Sequence, residues 1–327
     1  MSADVSAAYD ELFHYTGGSG LTGIITTGTL WATHAALLND QEEYRTFFDK
    51  RLPALLRRAM ETAYARIKGR SDVKRKMTKV GGAQAYMKHA LSELTPFFAD
   101  RTRGMHEPYV LSFCASTSER VSAHGLLSQW RGYGKDGGYA IAFDTAGLEA
   151  LWRLEAKTVK GMPIFMGDVE YFENPENDVG KHPETSEQTE AVVQAFAKFF
   201  LSAKSEDLEP VLSPIHQLAC LTKHCGFSEE NEVRLVFSQP SPKLLKLAPA
   251  EHVLKPVRHF IRDGVPVPYM AVLESLPGGP AGRLPIKRII VGPHPEREAR
   301  KTAIQTLLSE HGYHCPVHVT DIPYRGQ

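Results

Sequence analysis

The spacing of hydrophobic positions changes period along the chain, and each change marks an element. Leu12 to Thr16 predicts a short apolar and aromatic strand, Gly17-Gly18-Ser19-Gly20 a turn, and Leu21 to Thr27 a short helix that Gly28 ends. Leu30 to Thr33 predicts a second strand running to a polar turn at Asn39-Asp40. From there the period lengthens: Tyr44, Phe47, Phe48, Leu52, Leu55 and Leu56 recur at helical spacing, and the region from Tyr86 to Phe98 repeats it. Strand alternation returns at Tyr109 to Ala115 and at Gly138 to Asp144, where Tyr139, Ile141 and Phe143 are separated by alanines. A strand at Val169 to Phe172, helices at Glu187 to Lys204 and Leu212 to His224, and a strand at Glu232 to Phe237 follow. A strand at Ile286 to Val291, a helix from Glu296 to Ser309 and a strand at Pro316 to Thr320 end the series. The order predicts one α+β domain over residues 1–327, with a helical insertion at 41–105.

Charge changes this picture little. Lys plus Arg and Asp plus Glu are equal at 38 each, so no global field draws the protein to nucleic acid or to an anionic membrane. The one strongly basic stretch, Arg66 to Lys79, reads as a solvated loop between two helices, with a phosphate or nucleic-acid contact as the alternative. No apolar run reaches membrane-spanning length and the N-terminal residues lack a signal-peptide pattern, so a cytoplasmic protein without membrane contact is expected. Cys114, Cys220, Cys225 and Cys315 form no C-x-x-C pair and are expected as free thiols. His216, Cys220 and His224 fall at i, i+4 and i+8 of the predicted helix, but no fourth ligand is evident and no metal is expected. Ser128, Cys114 and His124 have nucleophile or base chemistry, yet no elbow or paired-base pattern surrounds them.

Two segments carry the candidate chemistry. In the first, Phe13-His14-Tyr15-Thr16 is followed by a glycine turn, the helix Leu21 to Ile25, and Gly28-Thr29-Leu30. In the second, Lys223-His224 leads to Glu229-Glu230-Asn231-Glu232-Val233-Arg234, and strand alternation sends Glu230 and Glu232 to one side and Asn231 and Val233 to the other. The first segment resembles the NAD-binding opening of ADP-ribosyltransferases, especially bacterial enzymes that modify DNA. The second resembles their Glu-x-Glu pair. The resemblance implies a split, mainly antiparallel sheet and NAD as substrate. It gives His14 the adenosine ribose, with Tyr15 and Thr16 in the same pocket, and makes Glu232 the catalytic carboxylate with Glu230 as its helper. A tyrosine that stacks on nicotinamide is implied too. Tyr133, Tyr139 and Tyr15 all qualify, and Tyr133 is preferred because it lies in a polar, glycine-rich segment with Trp130 and Arg131, which are expected to contact the cofactor as well.

Over most of its length the chain is also similar to a bacterial family catalogued as domain of unknown function 2971. The shared segments include His14-Tyr15-Thr16, Ser112-Phe113-Cys114, Gln129-Trp130 with Tyr133, Lys223-His224 through Arg234, and Ile289 to Gly292. Trp130-Arg131-Gly132-Tyr133 departs from that family's usual Trp-Ser-x-Tyr, and Val233 from its usual tryptophan. The implied activity is transfer of ADP-ribose from NAD to a nucleic acid or protein, in a toxin-like or antiviral setting. NAD hydrolysis and a non-catalytic nucleotide-binding module are the alternatives. Glu232→Gln is expected to abolish nicotinamide release with little loss of folding.

Overall fold

Alternation in the first strand, β1 (Glu11–Thr16), sends Leu12 into one hydrophobic core and Phe13 and Tyr15 into another on the opposite face. The computed structural model describes residues 5–38, 42–116, 118–134, 137–172, 187–202, 209–247, 251–274 and 283–323. Further strands are β2 (Leu30–His34), β3 (His106–Ala115), β4 (Tyr139–Asp144), β5 (Ile164–Asp168), β6 (Glu170–Phe172), β7 (Thr222–His224) and β8 (Glu232–Pro240). The last four are β9 (Arg258–Arg262), β10 (Val265–Val272), β11 (Ile286–Val291) and β12 (Val317–Val319). Ten of them form one sheet in the order β12-β11-β4-β1-β3-β2-β10-β9, with β8 paired to β3 and β5 to β8. Every pairing in it is antiparallel except β11 with β12. The mixed, mainly antiparallel architecture is therefore α+β.

The sheet parts at one place. β8 pairs along β3 from His106 to Cys114. On the other side of β3, β1 meets only Cys114 and Ala115, and β2 meets only Tyr109 and Val110. Residues 111–113 have no ladder partner there among the described residues. β1 and β2 thus diverge and leave an opening beside Ser112, whose carbonyl would otherwise lack a sheet partner on that side.

The larger core fills one face of the sheet under the helices Gly18–Thr27, Thr145–Ala156 and Arg297–Glu310, through Leu21, Ile24, Leu148, Trp152, Ile304 and Leu308. The opposite face carries two smaller apolar clusters, one around Phe13, Tyr15 and Trp130 and one around Val110, Phe165 and Val236. Strand alternation places Ser112 and Arg234 between them, because Cys114 and Val110 flank Ser112 on β3, and Val236 follows Arg234 on β8.

The predicted insertion is helical, but it does not pack alone. Phe47, Leu52, Leu55 and Phe98 share a core with Val192 and Phe196 of the helix Glu187–Ser202 and with Ile215 and Leu218 of the helix Glu209–Cys220. Two insertions distant in sequence therefore build one helical body. The basic stretch is a helix, Ser71–Lys79, rather than a loop. Asp72 lies in its first turn and Lys76 and Lys79 in its last, the arrangement that complements a helix dipole. The helix predicted to run to His224 stops at Cys220, and Thr222–His224 is a short strand beside β6. The turn at Asn39-Asp40 and residues 203–204 of the predicted second-half helix lie outside the described residues. Among the described residues no helix is long and apolar enough to cross a membrane.

Candidate functional site

The opening between β1 and β2 leads into a cleft of about 640 Å³. His14 and Tyr15 of β1, Tyr133, and Glu230 with Glu232 line it, although more than two hundred residues separate the two ends of this set. A second lobe of about 720 Å³ holds Gly17, Gly18, Ser19, Tyr139 and Arg300, and shares Gly132, Tyr133 and Arg262 with the first. Tyr133 stands at the junction and is 44% exposed.

His14 sits at the parting of the sheet. Its Nδ1 lies 3.0 Å from the Ser112 carbonyl oxygen. A carbonyl can only accept, so Nδ1 carries the proton and Nε2 is an acceptor. Burial lowers the imidazole pKa, against a smaller opposing effect of the Ser112 hydrogen bond, so the ring is neutral near pH 7. The histidine thus takes a hydrogen-bonding place that a continuous sheet would give to backbone.

Glu230 and Glu232 converge for a different reason from the one the sequence suggested. Glu230 is not on a strand; it ends the 3-10 turn Cys225–Glu230, and β8 begins at Glu232. Asn231 between them is left-handed, φ 41° and ψ 57°, a conformation asparagine tolerates. That residue turns the chain so that both carboxylates reach Lys223, whose Nζ donates to Glu230 Oε2 at 2.7 Å and to Glu232 Oε2 at 3.0 Å. Arg234 adds a fork to Glu232, Nε to Oε1 at 2.8 Å and Nη2 to Oε2 at 3.0 Å, and its Nη1 donates to the Cys220 carbonyl at 2.9 Å.

The Glu232 side chain is 4% exposed. Burial by itself would raise its pKa, but Arg234 first, then Lys223 and the Ser112 hydroxyl, overcome this and hold it at about 2. Glu232 is thus ionised and its lone pairs are committed, whereas the Glu230 side chain is 17% exposed. Cys114 lines the same cleft, but burial, Glu230 and Glu232 push its thiol pKa well up, so it carries no thiolate at neutral pH.

Other expected contacts fall elsewhere. Trp130 is 1% exposed and lines neither lobe; its indole packs edge-on to Tyr15 at 5.0 Å, and its Nε1 donates to the His124 carbonyl at 3.0 Å. Trp130 is a core residue because it lies on the helix Leu127–Tyr133, which turns its tryptophan inward and takes in only the first three residues, Arg131 to Tyr133, of the glycine-rich segment. Arg131, exposed on the same helix, lines neither lobe. Thr16 pairs with Tyr139 in the sheet and likewise lines neither lobe. Tyr15 reaches the cleft with part of its surface, yet it is mostly core, and its hydroxyl accepts from the Leu126 amide at 2.9 Å. Tyr139, also largely core, lines the second lobe. His224 is on a different element from His216 and Cys220, and its Nδ1 accepts from the Gly226 amide, so the i, i+4, i+8 spacing does not describe one helix face.

The structure adds residues that sequence reasoning passed over: Lys223, Arg234, Trp31, Phe227, Arg262 and Arg300. Arg234 was within reach, since the i+2 rule applied to Glu232 names it. Trp31 and Phe227, at 43% and 38% exposed, add aromatic surface to the walls, and Phe227 lies 4.7 Å from Lys223 Nζ.

No curated protein and no solved structure matches the chain. Residues 129–235, a segment that runs from the Tyr133 wall of the cleft to the Glu230, Glu232 and Arg234 wall, match the family model described as "Protein of unknown function (DUF2971)".

Proposed function

We propose that the two-lobed cleft binds NAD, releases nicotinamide and passes ADP-ribose to a macromolecular acceptor. The observation that carries this reading is the meeting of a neutral, acceptor-bearing His14 with two carboxylates and an exposed tyrosine in one cleft at the parting of the sheet. An imidazole acceptor suits a ribose hydroxyl, and an exposed phenol ring suits a stacked nicotinamide. In the second lobe, Arg262, Arg300 and the start of the helix Gly18–Thr27 suit a pyrophosphate.

The chemistry follows from charge. The C1'–N bond breaks and nicotinamide leaves with the electron pair, so positive charge grows on the ribose. An anion nearby stabilises that charge more than it stabilises bound NAD. The acceptor then bonds to C1' and loses its proton. Glu232 is the anion fixed at the cleft floor. Glu230, less buried and bonded to Lys223, is the carboxylate better placed to meet an incoming hydroxyl or acceptor. The divergence of β1 and β2 also agrees with the split sheet of ADP-ribosyltransferases.

A second reading, a nucleotide-binding module without turnover, is favoured by one feature: Arg234 and Lys223 neutralise Glu232 and occupy its lone pairs. Incubation with NAD and quantification of free nicotinamide separates the two. His14→Ala should weaken NAD binding about tenfold, and Glu230→Gln should slow transfer to the acceptor about 100-fold, within the range for a positioned acid–base group. Calorimetric NAD binding without release from the wild-type protein, with any acceptor, would favour the module. Absence of NAD binding would refute the transferase, and absence of ATP and ADP binding as well would refute the module. Labelled NAD then tells transfer from hydrolysis.

A further inference from the structure

The edge of the sheet next to the cleft carries an unusual surface. β9 and β10 form a hairpin in which Arg258 pairs with Tyr269, Phe260 with Val267 and Arg262 with Val265. Pairing partners share a face, so Arg258, Phe260 and Arg262 alternate on the face that Tyr269 occupies. On that face Trp31 of β2 stacks on Tyr269, with ring centroids 4.2 Å apart and planes at 29°, and Phe260 lies 5.5 Å from Trp31. Trp31 and Arg262 also line the cleft. An aromatic floor flanked by two guanidinium groups therefore runs from the cleft mouth to the edge of the sheet.

Few ligands match both features. Trp31 is 43% exposed and Phe260 half-buried, while Tyr269 is buried against Trp31, so the first two rings offer stacking to other flat rings, and guanidinium groups on either side offer pairing to anions spaced along a chain. A peptide adding to the edge strand would use its backbone and would leave the aromatic face unused. A base-paired duplex hides the faces of its bases. A single-stranded polynucleotide presents both unstacked bases and regularly spaced phosphates.

We propose that Trp31 and Phe260, backed by the buried Tyr269, form with Arg258 and Arg262 a platform for single-stranded nucleic acid that leads the strand into the cleft. Calling this strand the acceptor rests on the NAD reading above; the binding itself does not.

The test is fluorescence anisotropy of the full chain with labelled oligonucleotides of about 12 residues, as single-stranded DNA, single-stranded RNA and duplex DNA, without NAD. At least one single strand should bind, more tightly than the duplex, and the DNA and RNA arms decide which sugar is preferred. Phe260→Ala and Trp31→Ala should each weaken binding about 5- to 100-fold, the loss expected for one stacked base. Arg258→Gln should reduce the slope of log K against log salt by about 0.7. Ile261→Ser, on the opposite face of β9 and 69% exposed, should change nothing. Circular dichroism establishes that each variant is folded. Failure of both single strands to bind at low salt would overturn the platform, as would equal binding of the duplex or wild-type affinity in folded Phe260→Ala and Trp31→Ala. Because NAD is absent from the assay, loss of the NAD reading would leave a positive result standing as polynucleotide binding. A negative result would leave the NAD reading untouched.

Discussion

Glu232→Gln is expected to destabilise the protein by about 3–5 kcal/mol, the range for removing one partner of a buried ion pair. Arg234 and Lys223 are 4% and 9% exposed at the side chain, and Glu232 accepts from both. A glutamine keeps one acceptor oxygen but presents an NH2 group to donors that need a carboxylate, so buried Arg234 loses the carboxylate it forks onto and Lys223 keeps only Glu230. The expectation that this substitution would spare folding therefore does not hold for a side chain in this setting, and loss of turnover in the variant would not identify a catalytic role. Glu230→Gln, which removes a less buried carboxylate paired to Lys223, separates chemistry from folding better.

The same carboxylate gives a pH signature. Its pKa in the folded protein, about 2, lies below the ordinary value of 4.5, so the folded state holds this group deprotonated more strongly than the unfolded chain does. That contribution is fully present above about pH 4.5 and is lost as pH falls toward 2. The gap between the two values corresponds to about 3 kcal/mol. Urea unfolding of the wild type at pH 7, 4 and 3 should show the decline, and Glu232→Gln should show a shallower one. Parallel acid limbs in the two proteins would contradict this account.

Trp130→Ala is expected to cost about 3–5 kcal/mol, as for other buried aromatic truncations. The indole fills the cluster formed by Phe13, Tyr15, Ala140 and Ile290. Gly125, at φ +76°, approaches so closely that a Cβ there would stand 2.5 Å from the ring. Removing the ring frees the helix Leu127–Tyr133 from its only large inward side chain, and with it Gln129 and Tyr133, which line the cleft. Thermal denaturation should show the loss, and NAD binding should weaken as a secondary effect of the displaced wall. Trp130→Phe discriminates: a core role predicts a modest fall in stability with NAD affinity kept. A fall in affinity at unchanged stability would restore the ligand contact that the sequence suggested.

Local pattern was enough for much of the architecture. Period-two alternation placed β1, β2, β4 and β11 within a residue or so of their observed bounds, and helical spacing placed the insertion. The β9–β10 hairpin was also written in the sequence: Asp263 and Gly264, both at positive φ, form the two-residue turn that an Asp-Gly pair favours, between the runs Arg258–Arg262 and Val265–Val272. That signal is weak in this chain because the flanking runs are interrupted by prolines and arginines rather than built of apolar residues. The candidate site was legible in its residue types at both ends, His14 and Glu230 with Glu232, because strand and turn residues there follow rules a few positions long.

What residue spacing could not supply was whatever depends on strands that are far apart in sequence. Whether Trp130 faces ligand or core depends on the ring of Tyr15 and the backbone of Gly125 meeting it. Whether Glu232 is a reactive or a neutralised carboxylate depends on Lys223 and Arg234 being folded against it at about 3 Å. The sequence by itself determined which side chains of each element share a face, since that follows from bonds and dihedrals within the element. Only the tertiary structure decided which faces meet, where the sheet parts beside Ser112, and which charges are buried together, because electrostatic and packing energies depend on distances through space that no local period encodes.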